Sequence, residues 1–278
     1  MAFLEVNYIS EALMRTVTVN VILPSDRLTF PGMPKPKTEN FKTLYLLHGI
    51  LGNYTDWVNG TLLQRWAEEK GLAVVMPSGE NMFYVDQPKT HALYGEFVGK
   101  ELPDMMERMF KLSGKREDTY IAGLSMGGYG ALRNGMKYAD RFSYIGAFSP
   151  AVNVLDHPEK RSNDAPIFME TRDYLEALFG DLEHINASDY DPVWTAQKLA
   201  GAGKPLPKVY MACGTKDSLY RIDTVYRGRL KEAGCDVTWD EEPYAHEWAF
   251  WNDEIRKFMD FLPLDEATAG RNSGNVGI

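Results

Sequence analysis

Residues 120–130 read YIAGLSMGGYG, an apolar run that gives way to four glycines around one serine, Ser125. A serine hydroxyl is a poor nucleophile at neutral pH. It becomes reactive when a base lies within hydrogen-bond reach and a third group orients that base. The spacing Gly123-Leu124-Ser125-Met126-Gly127 matches the G-x-S-x-G elbow. There a strand turns into a helix so sharply that side chains two positions either side of the serine would strike neighbouring backbone. A phosphate-cradling glycine loop is the competing reading of the same residues. Gly128-Tyr129-Gly130 would then need a glycine at position 133, where Arg133 stands, and no Walker lysine follows. The stretch points to acyl transfer through a covalent serine intermediate.

An elbow serine takes its acid and its base from later in the chain, in that order. Of five histidines, His48, His91 and His157 fall outside the place this order requires, and His184 precedes the penultimate strand pattern. His246, in PYAHEWAF, sits between the strand-like DVTW and the last helical pattern, and is the expected base. Asp217, in ACGTKDSL, follows the preceding strand and is the expected acid, holding the imidazole tautomer and stabilising the imidazolium. Asp223 is the runner-up, better suited to capping the next helix. His246-Glu247 opens like a zinc-protease helix, but Phe250 occupies the second histidine's place, so no metal site is expected.

Attack on an ester creates an oxyanion that needs two backbone amides already aimed at it. One is expected from Met126, the residue after the nucleophile. The other is expected from Ile50, with Leu51 as the alternative, in the loop that ends LYLLHGILGNYTDW. His48 in that loop is read as a structural hydrogen-bonding residue. Trp57, Phe83, Tyr84, Trp194, Tyr220 and Trp248 fall on or near loops of the same edge. Trp57, Tyr84 and Trp248 are taken as the substrate-binding candidates.

Positioning these groups requires a particular framework. Residues 15–23 alternate and are β-branched, which predicts a strand; short apolar runs at 43–47, 72–77, 119–123, 143–149 and 208–214 predict strands buried on both faces. Helical patterns lie between them at 62–71, 97–110, 130–139, near 224–233 and at 248–262. Such alternation predicts an α/β fold with a mainly parallel sheet covered by helices on both sides. Residues 31–42 read as a surface loop. The less regular 151–206 contains RDYLEALFG and an Asp191-Pro192 helix start. It is a candidate cap or insertion over the carboxyl edge, where open α/β sheets bind ligands.

The chain is 278 residues long, and 44% of them are hydrophobic, enough for one large core. We expect a single domain over 1–264 and a disordered tail over 265–278. The net charge of -9, without a Lys/Arg cluster, argues against a nucleic-acid partner. No apolar run reaches membrane-spanning length, and the N-terminal residues lack the pattern of a signal peptide; the expectation is a soluble cytoplasmic protein. Cys213 and Cys235 are read as reduced, buried thiols.

Taken together, YLLHGILGNYTDW, YIAGLSMGGYGALR, CGTKD and HEWAFW resemble the esterase family that includes tributyrin esterases, esterase D (S-formylglutathione hydrolase), feruloyl and acetylxylan esterases and mycolyltransferases. The resemblance spans about residues 3 to 264, is strongest to the small tributyrin esterases, and implies the α/β-hydrolase fold. It implies Ser125, Asp217 and His246 as the triad, Ile50 and Met126 as oxyanion donors, and hydrolysis without a cofactor. The family motifs say little about substrate; the lack of an obvious long hydrophobic lid in the sequence favours short-chain acyl esters, including acetyl or feruloyl groups on carbohydrate. An acyltransferase is the alternative, and homo-oligomerisation is left open. HGILGN lacks the cysteine usual in the esterase D branch, which counts against glutathione thioester hydrolysis.

Overall fold

A computed structural model of the protein describes residues 1–26 and 40–264. The expected surface loop at 31–42, apart from its last three residues, and the tail 265–278 lie outside them. In chain order the elements are β1 (Ala2–Ser10), β2 (Arg15–Leu23), β3 (Thr43–Leu47), α1 (Asp56–Gly60), α2 (Leu63–Lys70), β4 (Ala73–Pro77), β5 (Asp86–Gln87) and β6 (Ala92–Leu93). There follow α3 (Tyr94–Glu96), α4 (Leu102–Met109), β7 (Thr119–Leu124), α5 (Met126–Lys137), β8 (Tyr144–Phe148), α6 (Arg172–Phe179) and α7 (Pro192–Gly201). The chain finishes with β9 (Lys208–Ala212), α8 (Tyr220–Glu232), β10 (Val237–Asp240) and α9 (Trp248–Phe261).

Eight strands form one sheet in the order β1-β2-β4-β3-β7-β8-β9-β10. The β1-β2 and β2-β4 pairs are antiparallel, and every later pair is parallel. β3, β4 and β7 are buried at every position, which is why they read as continuous apolar runs instead of alternating ones. Their side chains divide by parity: Tyr45 and Leu47 enter one core with α4, α5 and α8, while Leu44 and Leu46 enter the other with α2 and α9.

The first strand went unread because Phe3 and Ile9, on its outer face, are apolar yet exposed, so the alternation is blurred. The helix expected over 97–110 contains a wide turn at Phe97–Glu101, where the Leu102 amide donates to the Phe97 carbonyl. Pro103 follows directly and has no N–H to continue a regular ladder, and the widened turn accommodates it. Between β8 and β9 the segment 151–206 carries α6 and α7. They are capped by Thr171, which accepts from the Tyr174 amide, and by Asp191, which accepts from the Val193 amide. Among the described residues no helix is long and apolar enough to cross a membrane.

Candidate active site

The carboxyl ends of β3, β7, β9 and β10 lead into the loops that hold the expected site residues. Ser125 stands between β7 and α5 with φ 52° and ψ -118°, a conformation that costs an ordinary residue about 1–3 kcal/mol. Three backbone bonds hold it: its amide donates to Phe148 O at 2.8 Å, and its carbonyl accepts from Tyr129 N at 3.1 Å and Ala151 N at 2.9 Å. The flanking glycines provide clearance. A Cβ on Gly123 would lie 2.3 Å from Gly127 O, and one on Gly127 would lie 2.5 Å from both His48 O and Leu47 O.

His246 meets the serine from the β10 side. Its Nε2 is 3.1 Å from Ser125 Oγ and its Nδ1 is 2.8 Å from Asp217 Oδ2. With Nδ1 donating to the carboxylate, Nε2 is left to accept the serine proton. The indole of Trp251 on α9 stands edge-on to the imidazole, with ring centroids 4.9 Å apart. Asp217 is buried, and burial alone would raise its pKa. Hydrogen bonds from His246, the Leu219 amide and the Ser149 hydroxyl outweigh that effect and hold the carboxyl below its ordinary value.

Asp223 forms no hydrogen bond to His246 or to the first-turn amides of α8. It lies inside the first turn of α8, fully buried against the Cys213 thiol, and no N–H or O–H among the described residues reaches either oxygen. Burial raises its pKa well above the usual carboxylate range. The Leu219 amide at the start of α8 instead donates to Asp217 Oδ1 at 2.9 Å, so one aspartate serves both the histidine and the helix. Cys213 and Cys235 are free and buried, and burial pushes the Cys235 thiol up to about 11.

The expected oxyanion loop passes close to the serine: a Cβ on Gly49 would lie 3.5 Å from Ser125 Cβ. The alternative donor, Leu51, is engaged elsewhere, its amide donating to Asn81 Oδ1 at 2.8 Å. Met126 opens α5, where the first-turn amides have no intrahelical acceptor. His48 is buried; its Nε2 accepts from the Gly79 amide at 2.8 Å, so its Nδ1 carries the proton donated to Gly49 O. Burial lowers its pKa, consistent with a neutral structural ring. His91, His157 and His184 are exposed elsewhere.

Two of the three expected substrate-binding aromatics belong to the interior. Trp57 is 1% exposed, its indole N–H donates to Leu47 O, and its ring packs edge-on against Phe148 and Trp248. Tyr84 is fully buried and its hydroxyl donates to His48 O. Trp248 alone of the three is half-buried and reaches the surface. Phe83 packs on Tyr129 and Phe179, Trp194 lies under Lys198, and Tyr220 donates to Glu241. Asn81 and Ser149, both in contact with this machinery, were not singled out in the sequence because isolated polar loop residues carry no spacing signal.

Residues 10–257 match the model of the family described as "Putative esterase". The chain belongs to this esterase family. It is 38% identical over 265 residues to an acetyl esterase of Caldicellulosiruptor saccharolyticus, covering 94% of this chain and 98% of that one. Among solved structures it resembles FphF, a fluorophosphonate-binding serine hydrolase of Staphylococcus aureus, with a TM-score of 0.80 and 28% identity over 94% of this chain and 98% of that one. It also resembles the S-formylglutathione hydrolase FrmB of Staphylococcus aureus, with a TM-score of 0.78 and 29% identity at the same coverage. The fold is the α/β-hydrolase fold, and the esterase is of the serine hydrolase class.

Proposed function

We propose that this esterase hydrolyses short-chain carboxylic esters through Ser125, His246 and Asp217. The observation that carries the reading is the unbroken chain from Asp217 Oδ2 through both imidazole nitrogens to Ser125 Oγ, at 2.8 and 3.1 Å, on a strained elbow. Ser125 Oγ attacks the ester carbonyl while His246 Nε2 takes its proton. The amides of Ile50 and Met126 receive the oxyanion. The tetrahedral adduct then collapses, His246 returns the proton to the leaving alcohol, and an acyl-serine remains. Water, deprotonated by His246, attacks that acyl group and releases the acid, restoring the serine.

The acyl group is small, acetyl first among candidates. The acetyl esterase relative supports this, as does the enclosure of Trp57 and Tyr84, whose rings are packed into the interior and are not presented to a long acyl chain. The alcohol is a carbohydrate. A cleft lined by Asn153, Asp156, Glu170, Ser218, Leu219 and Arg221 borders the Asp217 loop and offers charged groups to sugar hydroxyls. An acyltransferase would use the same acyl-serine with a sugar hydroxyl in place of water. Product analysis with an added acceptor distinguishes the two, since only transfer yields a new ester.

The test of the nucleophile is Ser125→Ala assayed on p-nitrophenyl acetate, with covalent labelling of the wild type by a fluorophosphonate. We expect turnover to fall by about 10⁶-fold with an unchanged circular-dichroism spectrum, and the label to map to Ser125. Undiminished cleavage by the variant would end the proposal. Rates on acetylated xylo-oligosaccharides and on aryl esters of increasing chain length test the substrate; a rise in kcat/KM with chain length would overturn it.

A further inference from the structure

Four hydrogen bonds join the loop after β4 to the loop after β3. Tyr54 N donates to Ser78 Oγ at 3.2 Å, Gly79 N to His48 Nε2 at 2.8 Å, Leu51 N to Asn81 Oδ1 at 2.8 Å, and Tyr84 Oη to His48 O at 3.0 Å. The same two loops contain four non-glycine residues in left-handed conformations: Leu51 at φ 67°, Glu80 at 48°, Phe83 at 50° and Tyr84 at 55°. Such conformations persist only where the surroundings over-determine them. Phe83 and Tyr84 are held by burial. Leu51 is not, because its side chain is 78% exposed. Its backbone is held by the turn bond from Gly52 N to Gly49 O at 3.2 Å and, from outside the turn, by the bond from its own amide to Asn81. Asn81 is in turn gripped from the segment between β8 and β9, for the Tyr174 hydroxyl on α6 donates to its main-chain carbonyl.

We propose that Asn81 is a positioning residue for the oxyanion loop, and that Tyr174 is the strut by which segment 151–206 acts on it. The Leu51 amide shares a rigid peptide plane with the carbonyl of Ile50. Anchoring that N–H to Asn81 Oδ1 therefore fixes the orientation of the Ile50 residue, whose own amide faces the developing oxyanion. Asn81 touches neither substrate nor Ser125 in this scheme. Its effect is confined to how well a donor is aimed once charge appears in the transition state, which is where preorganised dipoles act. The inference rests on the proposed roles of Ser125 and Ile50. It adds a route by which segment 151–206 acts on the chemical step through the bond from Tyr174 to Asn81.

The experiment uses the full-length protein and p-nitrophenyl acetate, with four variants: Asn81→Ala, Asn81→Asp, Tyr174→Phe and the double variant Asn81→Ala/Tyr174→Phe. Loss of the side-chain acceptor in Asn81→Ala is expected to lower kcat by roughly 10- to 100-fold, as misplacement of an electrostatic donor does, with KM within twofold. Asn81→Asp keeps an acceptor oxygen for the Leu51 amide and is expected to regain most of the lost kcat. Tyr174→Phe is expected to lower kcat about threefold in the native background and to have no further effect once Asn81 is Ala, because non-additivity marks residues that act as one unit. Wild-type kcat in Asn81→Ala, or a change confined to KM, overturns the positioning role. An equal cost of Tyr174→Phe in both backgrounds overturns the strut. Fluorophosphonate labelling of Ser125 in the wild type separates these failures from a failure of the nucleophile assignment, which would show as labelling elsewhere.

Discussion

The two sides of the candidate site are built on different terms. On the elbow side, Ser125, Leu51, Glu80, Phe83 and Tyr84 all have positive φ; Ser125, Phe83 and Tyr84 are buried, and the exposed Leu51 is tied down through its amide. On the histidine side, residues 241–247 have no positive φ. His246 keeps a side-chain exposure of 35%, and its loop is tied to the Asp217 loop by Thr215 N to Glu242 O at 2.8 Å and Lys216 N to Tyr244 O at 3.0 Å. The difference follows from the work that the proposed mechanism asks of each side. A nucleophile and its oxyanion donors must stay fixed while charge forms between them, so the fold spends strain there. An imidazole that receives a proton from the serine and passes it to a leaving group needs a correct tautomer and a path to solvent. One buried carboxylate and one indole edge supply the orientation.

This contrast can be broken from either side. The largest effect is expected at the carboxylate: Asp217→Asn preserves shape but permits the wrong imidazole tautomer, and kcat on p-nitrophenyl acetate should fall about 10⁴-fold with KM little changed. A loss under tenfold would mean that the histidine side is oriented by its loop and not by Asp217. Next comes the elbow. Gly127→Ala places a Cβ 2.5 Å from two backbone carbonyls that cannot yield cheaply, and should cost about 3 kcal/mol or more, read as a lowered midpoint in urea. A wild-type midpoint would show that the elbow is not the rigid partner.

The smallest effect concerns Asp223, buried behind the acid and beside Cys213 and Asp217. Its folded pKa is raised above the unfolded value. Whatever stability it contributes is therefore fully present below the unfolded value and is lost as pH rises toward the folded one. Asn does not titrate. The Tm of Asp223→Asn relative to wild type should accordingly increase between pH 4 and pH 8, and a difference that stays constant over that range would refute the assignment.

Much of this was legible in the sequence, for reasons that can be traced to particular residues. β3, β4 and β7 announced themselves because strands covered on both faces have no polar face to interrupt the run. Gly123 and Gly127 were legible because the steric demand of the elbow is local and falls on fixed offsets. His246 and Asp217 followed from chain order, and the structure brings His246 to Ser125 and Asp217 to His246. Depth was not legible: Trp57 and Tyr84 sit on loops of the right edge, yet nothing in their spacing says that one ring points under β3 and the other under His48. Asp223 was misread for a related reason, since a carboxylate near a helix start is ordinarily a solvated cap, and only the packing of α8 against β9 reveals that it is enclosed. The anchoring by Asn81 depends on two loops far apart in sequence, which no short motif records.

Cys213 offers a last consequence. It directly follows β9, four residues before Asp217, and is completely enclosed; burial also raises its thiol pKa far above the ordinary value. An alkylating reagent therefore finds it only when the packing around the carboxyl end of β9 opens. The rate of its modification under native conditions is a clock for that opening, read at the base of the acid loop without any label being introduced.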